Sequence, residues 1–146
     1  MAAKRVTAEQ LGLDRGIARA HDDALFKWLI ASFLFGKPIQ QAIATEAYRV
    51  IVEQHQRDTP RKLSNCSKAE LVNMLGQAHY VRYDNSTAER LVKLCKKLLD
   101  EYGGKLSNLR EQSADRDEFE QRLRAFDGIG PKTVEIFMRE AAPALY

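Results

Sequence analysis

Residues 123–138, LRAFDGIGPKTVEIFM, limit what this chain can fold into more than any other stretch. Gly128 and Gly130 flank Ile129. A β-branched residue between two glycines sends one apolar side chain inward while the backbone turns around it, and glycine takes the positive φ of such a turn at little steric cost. Pro131 suits the first position of a new helix, where its missing N–H would have had no partner anyway. The segment therefore predicts two short helices joined by a tight glycine turn. It also predicts free backbone N–H groups at a helix N-terminus, uncrowded by side chains and favoured by the helix dipole as an anion site. Lys132 and Thr133, in the first turn, add a charge and a hydroxyl. A nucleic-acid phosphate is the natural occupant, held by Gly128, Ile129, Gly130, Lys132 and Thr133. The alternative is a glycine-linked hairpin that only turns the chain.

The rest of the chain reads as helix. Residues 1–22 predict an N-terminal helical arm in which Thr7 and Gln10 form a capping box for a short helix through Leu11 and Leu13, weakened by Gly12 and Gly16. Residues 23–146 predict a single helical domain. Asp22 and Asp23 open a helix over Ala24–Phe35 that is apolar on nearly all sides, as a central helix is. Gly36-Lys37-Pro38 stops it and starts an amphipathic helix running to about His55. Residues 57–65 read as a polar linker broken by Pro60. Ser67 and Glu70 cap a short helix that Gly76 ends, with Leu71, Met74 and Leu75 as its apolar face. A loop over 77–85 follows, in which Tyr80 and Tyr83 are half-buried packing residues or base-stacking ones.

Ser86 and Glu89 are expected to cap the clearest helix, Thr87–Tyr102, whose apolar stripe includes Leu91, Cys95, Leu98 and Tyr102. Arg90, Lys93, Lys96 and Lys97 lie on its other faces, and Gly103-Gly104 ends it. Residues 108–115 are polar. A helix from about Arg116 leads into the hairpin, whose second helix, 116–141 being the whole motif, is stopped by Pro143. No alternating run marks a strand. The expected fold class is all-α, a compact bundle of six to seven helices ending in a helix-hairpin-helix.

Composition excludes several classes. With 45% hydrophobic residues the chain is neither disordered nor membrane-embedded, and the apolar run ending at Phe35 is too short to span a bilayer. No long apolar region follows the basic start at 1–5, so a cytoplasmic protein is expected. A net charge of +3 fits a nucleic-acid face without requiring one. Cys66 and Cys95 have no metal-ligand spacing, and Cys95 is expected in the core. His21, His55 and His79 share no ligand spacing, so no metal site is expected. No Ser-His-Asp set, P-loop or zinc pattern is present.

FDGIGPKTV resembles the hairpin LPGVGxKTA of the helix-hairpin-helix DNA glycosylases of the endonuclease III type. The likeness extends upstream. DALFKWLIASFLFGKPIQQAIATEAYRVIVE resembles that family's first barrel helices, and RYDNSTAERLVKLCKKLLDEYGGKL its segment LYNxKAxxIxxxCxxLxExxGGxxP. The resemblance implies a six-helix barrel, duplex DNA as partner and no membrane. It implies that Lys132 is the candidate catalytic nucleophile, attacking C1′ of a damaged nucleoside through a neutral amine. It also implies a monovalent cation between the hairpin carbonyls and a phosphate.

Four departures qualify it. The family's partner aspartate lies a helix and a loop beyond the lysine, whereas fourteen residues follow Lys132 here and none is Asp. Two cysteines cannot build the four-cysteine iron–sulfur loop, so no such cofactor is expected. Lys37 stands where the family places a gap-filling glutamine and Arg82 near its leucine wedge; either basic residue contacts backbone or is a solvated surface charge. Asp127 replaces the proline before the turn and sets an acid beside the phosphate site.

Three readings follow. The first is a DNA-binding helix-hairpin-helix protein related to base-excision-repair glycosylases, with base excision weak or absent. The second is a minimal abasic-site lyase using Lys132. The third is a helical interaction module without DNA binding, with an open apolar face that a second copy or a partner protein covers in place of the second domain.

Overall fold

A computed structural model describes residues 5–146. The first four residues of the expected N-terminal arm, and of the basic start at 1–5, lie outside the described part. The chain opens with a single 3₁₀ turn at Glu9–Leu11, then α1 (Asp14–Ala18). The Thr7–Gln10 capping box is present: the Thr7 N–H donates to Gln10 Oε1 at 2.8 Å and the Gln10 N–H to Thr7 Oγ1 at 3.4 Å. Ala8, Leu11, Leu13 and Ile17 are buried, so this segment belongs to the main core.

α2 (Asp22–Phe35) is the central helix. From Ala24 to Phe35 every residue except Lys27 is buried. It packs against α1 and α3 (Gln41–Tyr48). Each fully buried large apolar side chain contributes about 1.5–3 kcal/mol, so this helix dominates the hydrophobic stabilisation. α3 begins three residues later than Pro38 suggests and runs on as a π-helical turn, Arg49–Gln54. Val50, Ile51 and Val52 of this wider turn are all buried in the core.

The polar linker expected over 57–65 contains a helix instead, α4 (Pro60–Ser64). Thr59 caps it by accepting from the Lys62 N–H at 3.1 Å, Pro60 takes the first helical position, and Leu63 is fully buried. α5 (Lys68–Gln77) follows, with the Ser67–Glu70 capping box in place. α6 (Asp84–Tyr102) starts before the expected Thr87. Tyr83 precedes it at φ +65°, and Ser86 sits inside the first turn, its hydroxyl donating to the Tyr83 carbonyl at 3.1 Å. Glu89 pairs with Lys68 at 2.8 Å rather than capping.

The polar stretch expected at 108–115 is mostly α7 (Leu106–Gln112), anchored by the buried Leu106 and Leu109. Asp22 caps it from α2, accepting from the Ser107 N–H at 2.9 Å and from its hydroxyl at 2.8 Å. α8 (Arg116–Arg124) and α9 (Pro131–Leu145) form the hairpin. α9 passes through Pro143, which the sequence reading takes as its end. The last turn is held by tertiary contacts: the Leu145 carbonyl accepts from Arg110 Nε at 3.1 Å, and the Tyr146 ring packs edge-on against Phe119. The Trp28 indole N–H donates to the Phe137 carbonyl at 3.2 Å and ties α2 to α9.

The described residues hold nine α-helices and no strand, against the six to seven helices expected; the two short helices α4 and α7 account for the excess. No helix among them is long and apolar enough to cross a membrane. The open apolar face expected of an interaction module is not found there either. The exposed large hydrophobic side chains are Val81, Tyr83 and Tyr146.

Candidate nucleic-acid interface

The turn between α8 and α9 is built as the glycine pattern requires. Ile129 is 4% exposed and anchors the turn in the core, beside the buried Phe126. Gly128 has φ +85°, a left-handed conformation that costs other residues about 1–2 kcal/mol. A side chain there would also collide: its Cβ would lie 2.7 Å from Arg90 Cδ and 3.0 Å from Phe33 Cε2. Gly130 is extended and precedes Pro131 as the helix cap, without a side chain to satisfy the helix start.

Most of the expected anion-binding amides are free of the protein's own acceptors. Among the described residues the N–H groups of Gly128, Gly130, Lys132 and Thr133 have no intramolecular partner. Ile129 is the correction. Its N–H donates to the Phe126 carbonyl at 3.1 Å and its side chain is buried, so it shapes the turn and cannot hold a phosphate. Thr133 is 4% exposed, and its hydroxyl lies where a Cβ on Gly36 would stand, 2.2 Å from that position. The hydroxyl therefore faces the end of α2, and its backbone N–H is what remains for a ligand.

Tertiary packing adds charge that the hairpin sequence does not contain. A groove of about 670 Å³ runs over the turn, lined by Gly36, Lys37, Arg90, Arg124 and residues 125–133. It brings together the candidates Lys37, Gly128, Gly130 and Lys132 with Arg90 of α6 and Arg124 of α8. Four cations face one carboxylate, Asp127, in a chain whose whole formal excess is +3. Asp127 is already engaged: its oxygens lie 3.7 Å from Arg90 Nε and 3.8 Å from Lys93 Nζ. Lys97, two turns further along α6 from Arg90, donates to the Ala125 carbonyl at 3.2 Å. Arg90, Lys93 and Lys97 thus form one stripe along the hairpin. Their spacing of three and four was the available signal.

Lys37 and Lys132 differ in setting. Lys132 is exposed on the first turn of α9. Lys37 is half-buried, with its Nζ 5.8 Å from the centroid of the Phe33 ring. Burial first, then the Arg90 guanidinium, hold its amine below the usual lysine range, while the Asp127 carboxylate pulls the other way. Arg82 is not in the groove. It lies exposed between α5 and α6, its guanidinium 5.2 Å from the Tyr83 ring centroid. Of the two tyrosines beside it, Tyr80 is fully buried with its hydroxyl donating to the Leu34 carbonyl at 3.3 Å, and Tyr83 is exposed.

The Phe126 and Gly130 carbonyls each accept one hydrogen bond, from Ile129 and Val134, and each retains a second lone pair. Cys66 and Cys95 are both buried and free, and no cluster of metal-ligating side chains occurs among the described residues.

No protein-family model matches the sequence, and no curated protein matches it. The fold does match a solved structure, that of a trapped endonuclease III–DNA covalent intermediate in an estranged-adenine complex. The TM-score is 0.62 at 22% sequence identity. The match covers 94% of this chain and 62% of that one, so the chain spans less than two thirds of that protein's length. This chain therefore has an endonuclease III-like, all-α helix-hairpin-helix fold.

Proposed function

We propose that the protein binds double-stranded DNA through its sugar–phosphate backbone, as a helix-hairpin-helix protein related to those of base-excision repair. The observation that carries this is the set of four unpartnered amides in the turn and the first turn of α9, beside a groove lined by Lys37, Arg90, Arg124 and Lys132. Amides and cations that converge on one concave strip recognise the phosphates of any sequence. The DNA held by the solved endonuclease III complex supports the same reading. A monovalent cation held by the turn carbonyls would add positive charge beside a phosphate, with the Phe126 and Gly130 carbonyls as its natural ligands.

Base excision is expected to be weak or absent. The groove offers one carboxylate, Asp127, and two cations already compete for it. Lys132 remains the candidate nucleophile for an abasic-site lyase, and Arg82, with the exposed Val81 and Tyr83 beside it, the candidate wedge.

Fluorescence anisotropy with a labelled duplex tests the reading. Affinity falls as salt rises, with a slope near −0.9 per neutralised phosphate, and Lys132→Gln reduces that slope by about 1. Binding that ignores salt would refute the proposal.

A further inference from the structure

The hairpin has a second concave side, which shares Arg124 and Pro131 with the groove over the turn. A hollow of about 430 Å³ lies there between α8 and α9. α8 gives it one wall, the row Arg116, Glu120 and Arg124, spaced four residues apart and so on one helix face. α9 gives it a narrow apolar floor, Pro131, Val134 and Met138, and a second wall, Glu135 and Arg139. Val134 and Met138 are buried, so the fold fixes the floor before any partner arrives. Three guanidiniums thus face two carboxylates. Glu120 is committed to Arg116, at 2.9 Å. Among the described residues Arg124, Arg139 and Glu135 form no ion pair. The hollow therefore holds two uncommitted guanidiniums and one uncommitted carboxylate, and Arg5 and Lys132 line the adjoining hollow with Arg139.

We propose that this hollow docks an acidic, helix-forming segment of another protein, which sets its carboxylates on Arg124 and Arg139 and one apolar side chain on the floor between them. Its shape supports a helix. Both walls are helices, and the floor from Pro131 to Met138 rises about 10 Å, the length of two helical turns. Its charge supports an acidic partner, because a guanidinium fork matches a carboxylate with two parallel hydrogen bonds. A nucleic-acid strand fits less well. It would pass the carboxylates of Glu120 and Glu135, over a floor that offers its phosphates no donor. Arg124 belongs to this hollow and to the groove over the turn, so segment and duplex draw on one guanidinium and each weakens the other to the same extent.

The test uses the whole chain and a fluorescein-labelled peptide of about 12 residues, blocked at both ends, with glutamates and leucines at spacings of three and four. Anisotropy measures its affinity, and amide chemical shifts locate it. The expected result is saturable binding that shifts the amides of 116–124 and 134–139. Arg139→Glu, an exposed position, should weaken it about tenfold, since one ion pair is lost and one repulsion gained. Arg139 lies about 10 Å along α9 from Lys132, further than charges act at physiological salt, so the same variant should leave the salt slope of duplex binding unchanged. Saturating duplex should weaken the peptide, and Arg124→Gln should abolish that competition. No saturable binding up to about 1 mM overturns the proposal. So does equal binding of the same peptide with lysine for glutamate, or equal binding by Arg139→Glu. A reduced duplex salt slope in Arg139→Glu assigns the hollow to nucleic acid instead. Peptide binding by a protein that binds no duplex leaves the docking site standing and refutes DNA as a partner.

Discussion

At the start of α5, Ser67 Oγ accepts from the Glu70 N–H at 3.1 Å, and the Glu70 carboxylate returns to the Ser67 N–H at 2.9 Å. These hydrogen bonds hold the Glu70 carboxyl below the usual carboxylate range. At the start of α9, Gly130 offers nothing, and the amides of Lys132 and Thr133 have no partner among the described residues. A helix leaves its first amides unsatisfied, and a side-chain cap is worth about 0.5–2 kcal/mol. The chain secures that gain at α5 and forgoes it at α9. Where a fold leaves such donors bare, ringed by cations, the missing stabilisation is available to a ligand.

The comparison can be broken most severely at Gly128. Gly128→Ala meets both the left-handed backbone and Arg90, and is expected to cost about 1–2 kcal/mol in chemical denaturation while DNA affinity drops. Next in size is Ser67→Ala, expected to cost about 1 kcal/mol by the same measurement and to leave duplex binding unchanged. If it weakened binding as strongly as the hairpin variant, the two helix starts would not be functionally distinct. Smaller again is Asp127→Asn. It frees Arg90 and Lys93 and removes the groove's carboxylate, so affinity should rise about two- to fivefold at low salt, the worth of one exposed ion pair.

An alkaline titration sharpens the contrast between groove and core. Lys37 sits below the usual lysine range, so it loses its charge, and with it part of the DNA affinity, before ordinary surface lysines do. Burial pushes the Tyr80 phenol up to about 12, and burial also raises Tyr48. Those phenols stay protonated in the fold but ionise near pH 10 once unfolded, so stability is complete below about 10 and is lost as pH rises toward 12. Duplex affinity should therefore decline at lower pH than the denaturation midpoint does.

The sequence foretold the long apolar α2, the capping box of α5, the stripe of α6 and the whole hairpin, because each has its own local signal. It hid α4 and α7, which are too short for periodicity to register. α4 starts, as α9 does, on a cap residue followed by proline, but within a polar stretch Pro60 reads as a breaker. Pro143 reads as a stop, although Arg110 and Phe119 hold the turn around it. Of the groove, the glycines and Lys132 were visible. Arg90 and Arg124 were not, because only the packing of α6 and α8 against the turn brings them there. The sequence counts Ile129 among the binding amides, whereas its N–H is engaged with the Phe126 carbonyl.

The contact between Gly36 and Thr133 has one more consequence. With no side chain on Gly36, the end of the central helix lies against the first turn of α9. The amides of the turn are thereby preorganised, and the conformational entropy of arranging them is lost during folding rather than on association. A phosphate arriving there meets donors already aimed. Binding should then show a small change in backbone dynamics at the hairpin, and rates set by diffusion and electrostatic attraction rather than by rearrangement of the protein.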